Sequence, residues 1–433
     1  MFLAIGASLT GLAVQTASRR HRIRNLQPPV VAWGDSLTAG AGVTGAGRRY
    51  PAVASGLFTP PRTILNEGIG GQTSTQIAAR QGAVPILVTA TGPLPLRLAR
   101  EWDFSGGLQG WMSRAAANPP AQVRTENGAL VIEALGTPQT GAQVWLGETL
   151  PQGTVCTVEF DIDLGGGGWV EVGLANAPSA GHASGDWSAT LGFSSGGRKS
   201  LTFTVGTALL PTANSLLVMP HTRVGTYRIR DMRISTRSQV GLGAKSVNVL
   251  TNSGAFSGSI NGSIGGVSGT ITTDAAGNWT FARSTPGPRV TLAADSVFVP
   301  EKSVSLRDHD AWIWAGRNNF SDPARVKADI AAMVAHLGHG RFLVGAVLPS
   351  ANDTASGVAM IQALNADLAA AYGVRFVNLV GALQAAGDGT AGDASDIAAG
   401  RIPRSLRSDA IHLNDAGYAV VATAMAAADQ GTA

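Results

Sequence analysis

The chain has 433 residues, long for one domain and enough for two or three that each bury a core. Its formal charge is only +4 and its basic residues are scattered, apart from Arg19-Arg20-His21-Arg22, so nothing in it asks for nucleic acid. Charged residues make up 14% of a chain with 56 glycines, a balance that suits many-stranded β structure with a surface of Gly, Ala, Ser and Thr.

Phe2 to Ala17 is apolar but broken by Ser8, Thr10, Gln15 and Thr16, too short for the roughly 20 residues of a membrane span. Residues 1–26 are therefore read as a signal, an anchor or a packed helix, and no stable membrane span is expected. Val30-Val31-Ala32-Trp33-Gly34 reads as a buried strand, and Asp35-Ser36-Leu37-Thr38 as a sharp turn with a serine at its tip. An unactivated hydroxyl is a poor nucleophile, so Ser36 means little unless other segments supply a base, an acid and oxyanion donors. Ile64 to Ile77 repeats the pattern of strand, glycine turn (Gly68, Gly70, Gly71) and helix start, with Thr73 or Ser74 as the cap.

From Pro85 to about Val304 no helical period is found, only short alternating runs between glycine clusters, which predicts an all-β insertion. Its inner part, residues 99–237, carries strand patterns such as Ala129–Ala134, Val155–Asp163, Trp169–Leu174 and Tyr227–Ile234 and is read as a sandwich or jelly roll. The lone cysteine, Cys156, falls in one of these strands and is read as a buried structural thiol; it excludes an intrachain disulfide framework and any cysteine metal cluster. Residues 84–98 and 238–305 flank the sandwich as a second, smaller β unit, so the insertion is nested.

At Asp310 the α/β rhythm resumes. Ala311–Ala315 reads as a strand entering the polar turn Gly316-Arg317-Asn318-Asn319, followed by a helix from about Pro323 to Leu337 and a strand from Arg341 to Leu348. A helix through Met360–Leu368, a strand at Arg375–Leu379, a loop of small and acidic residues and a last alanine-rich helix complete the chain. Strands alternating with helices predict a parallel sheet, so residues 27–83 and 306–433 form one discontinuous α/β domain. Among the seven histidines only His412 follows a carboxylate by three residues, Asp409, a spacing that lets the carboxylate reach one imidazole nitrogen and leaves the other for Ser36.

Gly34-Asp35-Ser36-Leu37, Gly71, Gly316-Arg317-Asn318-Asn319 and Asp409-Ala410-Ile411-His412 occur in the order used by the GDSL, or SGNH, hydrolases, which the α/β parts of the chain resemble. The resemblance implies a flavodoxin-like three-layer α/β/α fold and no cofactor. It also implies Ser36 as nucleophile, His412 and Asp409 as base and acid, and the Ser36 N–H, Gly71 N–H and Asn318 side chain as oxyanion donors. The family reads Gly-x-Asn-Asp at the third block, where this chain has Asn319 in the final place.

Residues 99–237 resemble in pattern the β-sandwich carbohydrate-binding modules attached to polysaccharide-active enzymes. That resemblance implies that one or two of Trp102, Trp111, Trp145, Trp169 and Trp187 are exposed and stack on sugar. The combined expectation is a serine esterase that deacetylates an O-acetylated carbohydrate. The alternatives are a general esterase or lipase on small acyl esters, and a non-catalytic carbohydrate-binding adhesin or tail protein of a cell surface or virion.

Overall fold

The computed structural model describes residues 28–114, 119–137, 140–166, 168–176, 187–220, 223–237, 239–250, 258–274 and 276–432; the leader at residues 1–26 lies outside them. A five-stranded parallel sheet is built from β1 (Val30–Gly34), β2 (Ile64–Gly68), β3 (Asp310–Trp314), β4 (Phe342–Gly345) and β5 (Phe376–Val377). Their spatial order is β2-β1-β3-β4-β5, a doubly wound order with its reversal beside β1. Both faces of the sheet are covered, which is why β1 and β3 are continuous apolar runs rather than alternating ones.

Val30, Ala32, Trp312 and Trp314 pack on one side against Tyr50, Leu379, Tyr418, Val421 and Met425. Val31, Trp33, Ala311 and Ile313 pack on the other against Ile77, Val326, Ile330, Met333, Ile361 and Leu364. The helices packed on these faces include α1 (Ser36–Ala39), through Leu37, and α2 (Ser74–Gln81), α3 (Pro323–Leu337), α4 (Ala355–Tyr372) and α5 (Asp415–Thr432). Among the described residues no helix is long and apolar enough to cross a membrane.

Between α2 and β3 the chain forms two antiparallel bodies. Ile86–Ala90, Gln239–Lys245, Gly258–Ile264, Val267–Thr273, Trp279–Arg283 and Ser296–Pro300 close into a barrel around Ile86, Val88, Ile264, Ile271, Phe281 and Phe298. The two arms expected to flank the sandwich thus hydrogen-bond to one another, because closure removes the open edges that short strands would otherwise expose. The inner segment folds into a five-stranded sheet facing a six-stranded one across a single apolar core that includes Cys156. Burial pushes the Cys156 thiol up to about 12, which makes it inert.

Two expectations are corrected. The loop read between Leu379 and Arg407 contains helices at Leu379–Ala385 and Ala391–Ala398, capped by the Asn378 and Thr390 side chains. They are too short to show a helical period, and their caps were the only local sign. The strand expected over Arg375–Leu379 has only two paired residues, since Asn378 already caps the next helix.

Candidate active site

The site forms where β1 and β2 end. Gly34 permits the sharp exit from β1, since a Cβ there would fall 2.0 Å from Thr38 Oγ1 and 2.7 Å from the Trp314 carbonyl oxygen. Asp35 then caps α1, its Oδ1 accepting the Leu37 N–H at 2.9 Å, and Ser36 emerges half-buried at the first helical position. Its Oγ lies 3.0 Å from His412 Nε2, and His412 Nδ1 lies 2.7 Å from Asp409 Oδ2. With Nδ1–H donated to the carboxylate, Nε2 is left free to accept the serine proton.

The Asp409–His412 turn is held from within and from outside. Asp409 Oδ1 accepts the backbone N–H groups of Ile411 and His412, each at 2.7 Å, and the Ser408 N–H donates to the His412 carbonyl at 2.9 Å. The loop after Ser36 is tied to the start of α5 by the Thr44 N–H donating to Asp415 Oδ1 at 2.9 Å and the Tyr418 hydroxyl donating to the Ala41 carbonyl at 2.8 Å. Serine and histidine, 376 positions apart, are brought together by that pair of ties. Partial burial opposes ionisation of Asp409. The His412 side chain and the two backbone donors outweigh it and hold the carboxyl down to about 2, so it stays charged throughout the neutral range.

The glycine turn passes along Ser36: a Cβ on Gly70 would stand 3.8 Å from the Ser36 Cβ. Gly71 adopts φ +76°, which an L side chain rarely takes, and the turn is pinned by Ile69 N–H donating to the Gly34 carbonyl at 3.1 Å. Among the described residues no protein acceptor takes the Ser36 or Gly71 N–H. Asn318 Nδ2 donates to the Gln72 carbonyl at 2.9 Å and faces Asp35 Oδ2 at 3.3 Å. Both hydrogens of the Asn318 amide are therefore engaged, the one on Asp35 by the longer bond.

Asp35 is fully buried. Desolvation pushes its carboxyl up to about 6, against the Leu37 N–H and the charges of His412 and Arg317. Because this lies above the ordinary 3.8, the group favours the fold below about pH 4, and that contribution is lost as pH rises through about 6. Arg317 is fixed by a two-pronged contact with Asp353, Nη1 to Oδ2 at 2.6 Å and Nη2 to Oδ1 at 2.8 Å, so it braces the turn that carries Asn318.

Asn319 uses both ends of its amide: Oδ1 accepts the Ser74 N–H at 3.0 Å, while Nδ2 donates to Ser74 Oγ at 2.9 Å. Ser74 Oγ in turn donates to Asp329 Oδ2 at 2.7 Å. An aspartate could not make the middle bond of that chain, since an ionised carboxylate only accepts. The start of α2 is capped by Thr73 with Gln76 in a reciprocal capping box.

The five tryptophans separate into two groups. Trp102 and Trp111 are only 3% and 2% exposed and meet edge to face in the sandwich core, so neither can stack on a sugar. Alternation alone did not reveal which side of each strand they occupy. Trp145 is 59% exposed, and Trp169 and Trp187 are half-buried. Trp187 packs on Ala175, Leu217 and Met219 on the outer face of the five-stranded sheet. Across that sheet Trp187 stands opposite Ala175, Ala175 opposite Ser215, and Ser215 opposite Trp145. The two indoles therefore lie on one face about 14 Å apart at the usual strand spacing, but Ala175, Ser215, Leu217 and Met219 between them are buried, so the exposed feature of that face is the Trp145 indole. Trp111→Ala is expected to cost about 3–5 kcal/mol of stability through a core cavity, whereas Trp145→Ala leaves thermal unfolding near wild type. Calorimetry of the two variants checks this.

No family model and no curated protein matches the sequence. Solved structures similar to about a third of the chain include a mutant of a family 29 carbohydrate-binding module, at 12% identity over 32% of this chain and 92% of that one, TM-score 0.24. The second N-terminal cellulose-binding domain of a Cellulomonas fimi β-1,4-glucanase is similar at 11% identity over 34% of this chain and 98% of its own, TM-score 0.25. A low-affinity xylan-binding module from Roseburia intestinalis is similar at 10% identity over 32% and 94%, TM-score 0.22.

Proposed function

We propose that this protein is a serine esterase of the SGNH type that removes acyl groups, acetyl above all, from a carbohydrate. The observation that carries the reading is the continuous hydrogen-bonded line from Ser36 Oγ through His412 to Asp409, 3.0 and 2.7 Å long, at the mouth of a parallel sheet. In the proposed reaction Ser36 Oγ attacks the ester carbonyl carbon while His412 Nε2 takes its proton. Collapse of the tetrahedral intermediate breaks the bond to the alkoxide, which receives that proton from His412, and leaves an acyl-serine. Water, giving a proton to His412 Nε2, then attacks the acyl carbon; the bond to Ser36 Oγ breaks, His412 returns the proton to that oxygen, and the acid leaves with Ser36 and His412 restored. Negative charge on the carbonyl oxygen is met by the Ser36 and Gly71 N–H groups and by Asn318. Asn318→Ala is expected to lower kcat by 100- to 1,000-fold, about 2.7–4 kcal/mol, with KM little changed; steady-state kinetics on p-nitrophenyl acetate measures the split.

The sugar part of the reading rests on the exposed Trp145 indole, a flat apolar face on which a sugar ring can stack. A polymer held there raises the local concentration of acetyl groups near Ser36. Trp145→Ala is expected to weaken binding of an acetylated glycan roughly tenfold, about 1.5 kcal/mol of stacking, without altering p-nitrophenyl acetate turnover. Binding calorimetry tests this, and unchanged affinity removes the sugar from the proposal and leaves a small-ester hydrolase. The same exposed indole favours the second reading, a carbohydrate-binding adhesin without chemistry, which predicts equal rates for wild type and Ser36→Ala.

A further inference from the structure

The glycine turn that presents Gly71 is held from the inserted barrel. Gln72 is completely buried, and each of its three polar ends has a different partner. Its side-chain Nε2 donates to the Val249 carbonyl at 2.8 Å, on the segment that follows the barrel strand Gln239–Lys245. Its Oε1 accepts Arg80 Nε at 2.7 Å, and its main-chain carbonyl accepts Asn318 Nδ2 at 2.9 Å. Arg80 is itself buried over the Trp33 ring and donates to the Gly34 and Glu67 carbonyls, the last residue of β1 and the penultimate residue of β2. One helical turn further on, Gln76 Nε2 donates to the Asn248 carbonyl at 2.6 Å. Asn248 Oδ1 accepts the Leu250 N–H at 3.1 Å, a local turn that sets carbonyls 248 and 249 side by side, and Val249 is wholly buried in the barrel core.

We propose that Gln72 is a positioning residue through which the inserted barrel aims the oxyanion donors, so that the insertion is part of the active site's framework as well as a carrier for the sandwich. This rests on the esterase reading above. Of the two Asn318 amide hydrogens the Gln72 carbonyl takes one at 2.9 Å and Asp35 Oδ2 the other at 3.3 Å, so where the Gln72 carbonyl sits sets the orientation from which the longer bond is exchanged for an oxyanion. The position of the carbonyl follows from the Gln72 side chain, which is clamped between Arg80 below and the barrel backbone beside it. A displacement of about 1 Å at such a point is enough to cost on the order of 100-fold in rate.

Two full-length variants separate the barrel arm from the rest. Gln72→Glu keeps an acceptor for Arg80 but cannot donate to the Val249 carbonyl, and Asn248→Ala removes the turn that presents carbonyls 248 and 249 without touching the catalytic domain's own residues. Each is expected to lower kcat on p-nitrophenyl acetate by about 10- to 100-fold with KM within twofold of wild type. The double variant is expected to be no slower than Gln72→Glu alone, because both cut the same link. Circular dichroism verifies that each is folded, and Asn248→Ala decides the matter if Gln72→Glu does not fold. Wild-type kcat in Asn248→Ala, or fully multiplicative losses in the double variant, overturns the coupling while Ser36→Ala still reports an esterase. Equal rates for wild type and Ser36→Ala overturn the esterase reading and the coupling with it.

Discussion

Ser36→Ala is expected to reduce hydrolysis of p-nitrophenyl acetate by on the order of 10⁵-fold while leaving the fold intact. Ser36 lies at the surface of the sheet's end rather than in its core, and its hydroxyl bonds only to His412 Nε2 among the described contacts. Losing it removes the atom that would carry the acyl group, and no neighbouring group can replace it. His412 and Asp409 would still be paired but would have no nucleophile to activate. Residual turnover of about 10³ over water would remain from the oxyanion donors and binding alone. A loss of less than tenfold would mean that the observed hydrolysis occurs elsewhere.

Asp409→Asn is expected to lower kcat by about 10⁴-fold with little change in KM. The carboxylate accepts at three places, from His412 Nδ1 and from the N–H groups of Ile411 and His412. An asparagine can preserve the two backbone contacts through its carbonyl oxygen, so the turn survives. Its amide nitrogen then faces Nδ1 as a donor and forces that nitrogen to accept, which places the ring proton on Nε2, opposite Ser36, where it blocks proton transfer. Asp409 itself titrates near 2, so loss of activity on acidification above about pH 4 does not arise from it. Asp35, at about 6, is a buried group whose protonation falls within that window, and its neighbour Asn318 would feel the loss of its charge. The pH profile of kcat for wild type against Asp409→Asn measures both effects.

Much of the frame was legible in the sequence because it depends on patterns local to each segment. The uninterrupted apolar runs of β1 and β3 announced strands covered on both faces, and the small-residue turn after Gly34 announced an exposed serine. Asp409 and His412 could be paired because their spacing confines them to one turn. Contacts to backbone were not legible. Gln72 meets a carbonyl 177 positions away, and a carbonyl is the same group on every residue, so no side-chain pattern marks Val249 as its partner. Asp35 stood in plain view beside Ser36, yet its burial depends on elements that come together only in the fold. The same reason hid the split among the tryptophans, since the strand period fixes that a side chain alternates but not toward which sheet face it does so.

The proposed chemistry depends above all on activation of the Ser36 nucleophile by His412. Treating the folded protein with a fluorophosphonate and mapping the adduct by peptide mass spectrometry tests it most directly, because phosphonylation displaces fluoride only where a serine oxygen is both exposed and activated. A single adduct on Ser36 is expected, formed rapidly by wild type and at least about a hundredfold more slowly by His412→Ala. An unmodified Ser36, or an adduct that forms equally fast without His412, would contradict it.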